Sequence, residues 1–160
     1  MRYAVILAGG KGERFWPLSR SSRPKQLLKI LGDKSMLRMT AERLEGFIPA
    51  ERRIVILTGG IAPAVKLEIA DERMLIEPCG RNTALAVGFA AVEIMKESSD
   101  AVMAVLPADH YIGEKELFLR ALEVGFEYAE KGSLVTFGVV PSRPETGYGY
   151  IELGKEIDRG

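Results

Sequence analysis

The sequence is poor in the residues that build disulfide and metal scaffolds: Cys79 is its one cysteine and His110 its one histidine among 160 residues. A single cysteine forms no internal disulfide, which fits a reducing cytoplasm. Metal clusters built on Cys and His are excluded as well, so any metal must be held by oxygen ligands. Net charge is also lacking, with 22 Lys and Arg against 22 Asp and Glu, so no overall field draws nucleic acid or an anionic membrane. Long apolar runs are missing. The run Tyr3–Ala8 follows Met1 and Arg2 directly; it is far too short to cross a bilayer and lacks the flanks of a secretory signal. No internal repeat, low-complexity tract or linker interrupts the chain.

What is present is an apolar fraction of 47%, enough to build one domain core at this length. Short runs rich in Val, Ile and Leu at Tyr3–Ala8, Arg53–Thr58, Arg73–Ile76, Ala101–Leu106 and Ser133–Val140 read as strands covered on both faces. Longer amphipathic stretches at Ser35–Glu45, Ala62–Ile69, Thr83–Glu97 and Glu114–Glu130 read as helices. In the third, Leu85, Phe89, Val92 and Met95 spread around the axis, which predicts a well-buried helix. The alternation predicts an α/β fold, a Rossmann-like and mainly parallel sheet with helices on both faces. After Pro141 the run SRPETGYGYIELG leads into a further strand with nothing to pair or cover it. An unpaired terminal strand is a liability, so the fold is expected to be incomplete at the C-terminus and the chain to be part of a longer protein.

The chemistry begins at the first strand's end. Gly9, Gly10 and Gly12 follow it, where ligands of open α/β sheets bind and where glycine lets the backbone approach a base or phosphate closely. A dinucleotide fingerprint from Gly10 would need glycine at position 15, which is Phe15; a P-loop would need Gly-Lys-Ser/Thr, but Glu13 and Arg14 follow Gly12. Both are rejected, and a plain glycine turn without a ligand stays open. Arg14, Arg20, Arg23 and Lys25 crowd the next segment, with Pro17 and Pro24 fixing its corners. Clustered cations on a defined loop suit polyphosphate, gripped by the Arg fork or the Lys point charge. For Arg20 and Arg23 a solvated surface charge is an equal reading.

Further along, Asn82 in EPCGRNTA is a good helix N-cap, and helix N-termini also attract anions. Cys79 in the same segment reads as a small loop residue rather than a nucleophile. In LPADHYI, Asp109 follows an apolar strand. Magnesium takes one or two carboxylates plus phosphates and water, so Asp109 is a candidate Mg2+ ligand, the alternative being a cap for the following helix. His110 either lines the same pocket or makes a structural hydrogen bond. TGYGYI, with Gly147 and Tyr148, reads on its own as a turn and an aromatic strand.

The run AGGKGERFWPLSRSSRPKQ, followed by EPCGRNTA, LPADHYI and FGVVPSRPETGYGYIE in that order, resembles the nucleoside-diphosphate-sugar pyrophosphorylases. The form FWPLSR is similar to that of the bacterial mannose-1-phosphate guanylyltransferases, and the resemblance covers nearly the whole chain. It implies that residues 1–160 are the nucleotide-binding portion of a catalytic domain that joins mannose 1-phosphate to GTP, giving GDP-mannose and pyrophosphate. It implies a nucleotide site of Leu7, Ala8, Gly9, Gly10, Gly12, Glu13, Arg14, Lys25, Gly80, Asn82, Thr83, Asp109 and His110. Within it Arg14 and Lys25 would be catalytic, and Asp109 would hold magnesium. Gly147 and Tyr148 match sugar-side positions. Leu85 stands where the family often has proline, a departure that touches the start of the helix more than the chemistry. The family's downstream Glu-Lys segment and second metal-binding Asp do not occur before Gly160. The chain alone is therefore expected to bind GTP weakly and turn over poorly, and a homodimer is an option for the full-length protein. The rivals are a uridylyl-, adenylyl- or thymidylyltransferase acting on glucose 1-phosphate, and a non-catalytic nucleotide-binding regulatory subunit.

Overall fold

A computed structural model describes residues 1–10, 16–20, 24–69, 71–80 and 82–157. Four strands, β1 (Arg2–Leu7), β2 (Arg53–Thr58), β3 (Arg73–Glu77) and β4 (Val102–Pro107), form one sheet in the order β3-β2-β1-β4. All three pairings are parallel, with Leu7 opposite both Ile56 and Pro107 and Thr58 opposite Glu77. The strands alternate with α1 (Met36–Arg43), α2 (Ala62–Glu68), α3 (Asn82–Met95) and α4 (Lys115–Glu130). The α/β architecture expected from the alternation is the one observed, and the element bounds differ from the expected ones by a residue or two.

Side chains alternate across the pleat, so each strand feeds two cores. Ala4, Ile6, Val55 and Leu57 pack on one face against Leu37 and Ala41 of α1, Val65 of α2, and Leu122 and Phe126 of α4. Tyr3, Val5, Ile54 and Ile56 point the other way, against Ala86, Ala90 and Ile94 of α3. Helix ends follow local chemistry. Ser35 caps α1 by accepting the Arg38 N–H at 3.2 Å, and Gly132, at φ +89°, closes α4 with its N–H on Ala129 O. Arg2 ties α4 to β1 through Glu123 and Glu130, each at 2.7 Å.

Two expectations are corrected. Residues 133–140 form no strand; Leu134, Val139 and Val140 are exposed. The sequence there has strand character, but a strand exists only through ladder bonds to a neighbour, and this segment makes none. Helix α3 is not buried all round, since Leu85, Val92 and Met95 are 62%, 57% and 63% exposed. The side that meets the sheet carries Ala86, Ala90 and Ile94, with Phe89 packed beside them, because a helix lying on one sheet face presents one side to it.

These burials set stability. Ile6→Ala removes a fully buried side chain from the central strand and is expected to lower unfolding free energy by about 2–5 kcal/mol. Val92→Ala, on the open side of α3, should change it by less than about 0.5 kcal/mol. Urea denaturation of both variants measures the contrast.

Candidate functional site

Strand order reverses between β1 and β4, because the crossover after β1 runs toward β2 and β3 while β4 lies on the other side. In open α/β sheets the loops beyond the carboxyl ends diverge at such a point and leave a crevice. A cavity of about 870 Å³ lies beyond the carboxyl ends of β1, β2 and β3 rather than between β1 and β4, lined by Leu7, Gly9, Gly10, Arg20, Thr58, Glu77, Gly80, Asn82 and Thr83 among others. It gathers the glycine turn after β1, the last residue of β3 and the start of α3. Most of the described candidates for the nucleotide site thus meet in one place.

Gly9 lies against the Glu77 carboxylate: a Cβ on it would sit 2.8 Å from Glu77 Oε2. A larger residue there would push that carboxylate aside, so glycine lets the backbone and the Glu77 carboxylate approach this closely. Glu77 is only 8% exposed although it lines the cavity. Sequence reasoning passed over Glu77. The available signal was an acid closing the apolar run RMLI at the carboxyl edge of a parallel strand.

Gln26 was likewise not singled out, and it holds the turn in shape. It sits in the 3-10 turn Lys25–Leu27 and is 0% exposed. Its Nε2 donates to Ala8 O at 2.6 Å and to Gly10 O at 3.0 Å, the two carbonyls that flank Gly9. Its Oε1 has no partner among the described residues.

Beside the cavity, Lys25 Nζ is ion-paired with Asp109 Oδ2, and each side chain is 17% exposed. Lys25 comes from the turn that Gln26 anchors, and its stem lies over Gly10. Asp109 is two residues beyond β4, after Ala108, whose N–H continues the ladder onto Leu7 O. The loop is braced from α1: Arg43, buried against the Phe118 ring, donates to His110 O at 3.2 Å. Burial lowers the Arg43 pKa from its ordinary value. His110 therefore contributes its backbone carbonyl to the frame; its side chain is exposed and does not line the cavity.

α3 opens at Asn82, whose φ is +60°. Asn tolerates this left-handed conformation better than most residues. Gly12, Glu13, Arg14 and Arg23 lie outside the described residues. Tyr148 lines a separate open groove formed by residues 141–150, which shares no residue with the cavity, and the Gly147 N–H bonds to Glu145 Oε1. The structure does not bring these two sugar-side candidates to the nucleotide candidates. Among the described residues no three His, Cys, Asp or Glu side chains form a metal cluster, and no helix is long and apolar enough to cross a membrane.

The sequence profile of the nucleotidyl transferases matches residues 3–159. The chain belongs to the nucleotidyl transferase family. Among curated members it is 45% identical over 165 residues to the mannose-1-phosphate guanylyltransferase of Escherichia coli (strain K12), covering 99% of this chain and 34% of that protein. It is 42% identical over 157 residues to the alginate biosynthesis protein AlgA of Pseudomonas aeruginosa, covering 95% of this chain and 32% of AlgA. The chain thus spans about a third of the length of the curated relatives it matches. A crystal structure from Thermus thermophilus, described as a mannose-1-phosphate geranyltransferase, superposes with a TM-score of 0.90 at 44% identity, covering 97% of this chain and 46% of that one. A Bacillus anthracis glucose-1-phosphate thymidylyltransferase, at 16% identity and a TM-score of 0.58, shares the fold alone.

The turn after β1 depends on one amide. Gln26→Leu keeps the bulk but leaves the Ala8 and Gly10 carbonyls without their donor, and should destabilise the chain by about 1–3 kcal/mol. Chemical denaturation beside the wild type measures this.

Proposed function

We propose that the chain forms the nucleotide half of a guanylyltransferase that joins mannose 1-phosphate to GTP, releasing pyrophosphate and giving GDP-mannose. The observation that carries this reading is the buried Glu77 carboxylate at the cavity beside Gly9, with Lys25, ion-paired to Asp109, lying against Gly10. Guanine offers two parallel donors, N1–H and N2–H, which a carboxylate accepts bidentately. Uracil and thymine offer a single N–H between two carbonyl oxygens, which a carboxylate repels. The similarity to mannose-1-phosphate guanylyltransferases supports the same base and names the sugar. The lone Cys79, exposed and free, suits a cytoplasmic setting.

The phosphate oxygen of the sugar 1-phosphate is already a nucleophile. It attacks the α-phosphorus, a new P–O bond forms, the bond to the β-phosphate bridging oxygen breaks, and pyrophosphate leaves. No general base is required, so catalysis rests on alignment and on neutralising charge. Lys25, and Arg14 from the glycine-loop segment, take the role of holding the phosphates and the charge that develops on the leaving group. Asn82 and Thr83, at the start of α3, line the same cavity, and a helix N-terminus favours an anion. Nucleotidyl transferases generally use a divalent metal, and Asp109 fits such an ion. It is a hard oxygen donor at a strand end, and phosphate oxygens and water would complete the coordination of magnesium. Bound there, magnesium would supply further charge neutralisation at the phosphate oxygens.

The base assignment is tested by ligand-induced heat stabilisation. GTP with Mg2+ is expected to raise the melting temperature more than UTP, ATP or dTTP, and Glu77→Gln should remove that preference. Equal stabilisation by all four nucleotides would end the guanine reading. In a protein that turns over, Lys25→Ala should slow nucleotidyl transfer by on the order of 100-fold; a near-native rate would remove Lys25 from the catalytic role.

A further inference from the structure

We infer that the Lys25–Asp109 ion pair is a latch that holds the metal position closed until nucleotide and metal arrive together. The inference rests on the nucleotidyl-transfer reading, which gives Lys25 to phosphate and Asp109 to a divalent cation. The two side chains cannot perform those roles while they bind each other. Both are largely withdrawn from water, at 17% exposure, so neither is left unpaired without a desolvation penalty.

The backbones on either side are fixed. Lys25 opens the 3-10 turn, where its carbonyl accepts the Leu28 N–H at 3.1 Å, and the next residue, Gln26, is clamped onto Ala8 and Gly10. Asp109 follows Ala108, which is bonded to Leu7, and precedes His110, whose carbonyl is held by Arg43. What is free to move is the Lys25 stem, whose Cε and Nζ lie 3.4 and 3.6 Å from where a Cβ on Gly10 would be. Swinging across Gly10 takes the ammonium from the carboxylate toward the cavity that Gly10 lines.

The charges decide what opens the latch. Nucleotide alone draws Lys25 to phosphate and strands the Asp109 carboxylate beside a polyanion. A metal ion alone takes Asp109 and strands the Lys25 ammonium beside a divalent cation. When both arrive, the phosphate pairs with Lys25 and the cation pairs with Asp109, so no charge is orphaned. Each ligand therefore strengthens the other, and the coupling is reciprocal. Lys25 acts in the empty site as a stand-in for the cation.

The test reads metal binding directly, without turnover or nucleotide. Mn2+ is titrated into the full chain and free Mn2+ is followed by electron paramagnetic resonance. Lys25→Met keeps the stem and removes the charge; it is expected to bind Mn2+ about tenfold tighter than wild type, within the range usual for coupled sites. Lys25→Arg, which preserves the pair, should bind it as weakly as wild type. Arg20→Met removes a cation that lines the cavity and reports the general field alone; it should leave Mn2+ affinity within about twofold of wild type. Unchanged affinity in Lys25→Met, or an equal gain in Arg20→Met, would overturn the latch. Circular dichroism melting of each variant confirms that it is folded, and a destabilised Lys25→Met is replaced by Lys25→Gln with the same expectation. A parallel GTP titration with and without Mn2+ separates the two readings. Failure of GTP to bind under either condition counts against the guanylyltransferase, while the Lys25→Met comparison stands or falls on Mn2+ alone.

Discussion

Everything at the site depends on the parallel pairing of β1 with two neighbours at once. Parallel strands end on the same side of a sheet, so β1 delivers the glycine turn, β3 delivers Glu77, and β4 delivers Asp109 to a single edge. Crossover helices on opposite faces make this pairing possible and keep the loops beyond that edge apart. Were any of these strands antiparallel, its polar residue would lie at the far end of the sheet, roughly 20 Å away by strand length. The apolar alternation inside the strands, unremarkable in itself, is what brings charged groups together outside them.

Much of this was legible beforehand, and the reasons differ by element. The buried strands announce themselves because Val, Ile and Leu crowd runs of strand length, as in RIVILT at Arg53–Thr58. Lys25 and Asp109 could be singled out because a cation after two prolines and an acid after an apolar strand are each unusual in their settings. Gln26 was hidden because an amide in a polar loop looks like any solvated residue, and only the fold shows that Ala8 and Gly10 turn their carbonyls toward it. Glu77 was hidden for a related reason: a terminal carboxylate on a strand is ordinary until Gly9 is found against it.

The two misreadings have a common root. Composition reports what a segment is able to bury, not what lies opposite it. Thr83–Glu97 has apolar residues on every side and was expected to be enclosed, yet the sheet covers one side, Ala86, Ala90 and Ile94 with Phe89 beside them, and leaves Leu85, Val92 and Met95 exposed. Residues 133–140 have a strand's composition without a ladder partner; Phe137, its ring packed over Gly125 of α4, gives the segment a side-chain contact in place of backbone pairing. Tertiary neighbours, not propensity, decided both cases.

The Gln26 clamp carries a consequence for how this chain tolerates genetic change. Its task calls for one neutral atom bearing two hydrogens, set in a space without water and bonded to two carbonyls. Only an amide side chain supplies that, and Asn, the other one, is a methylene too short. A single-base change in a Gln codon leads to Glu, Lys, Arg, His, Leu or Pro, never to Asn. The charged options place an ion in a buried site, Leu and Pro supply no donor, and neutral His supplies one N–H for two carbonyls. The turn around Gly9 thus hangs from a position with no neutral path to a working substitute. Drift can reshape the loop's exposed flank far more readily than its anchor.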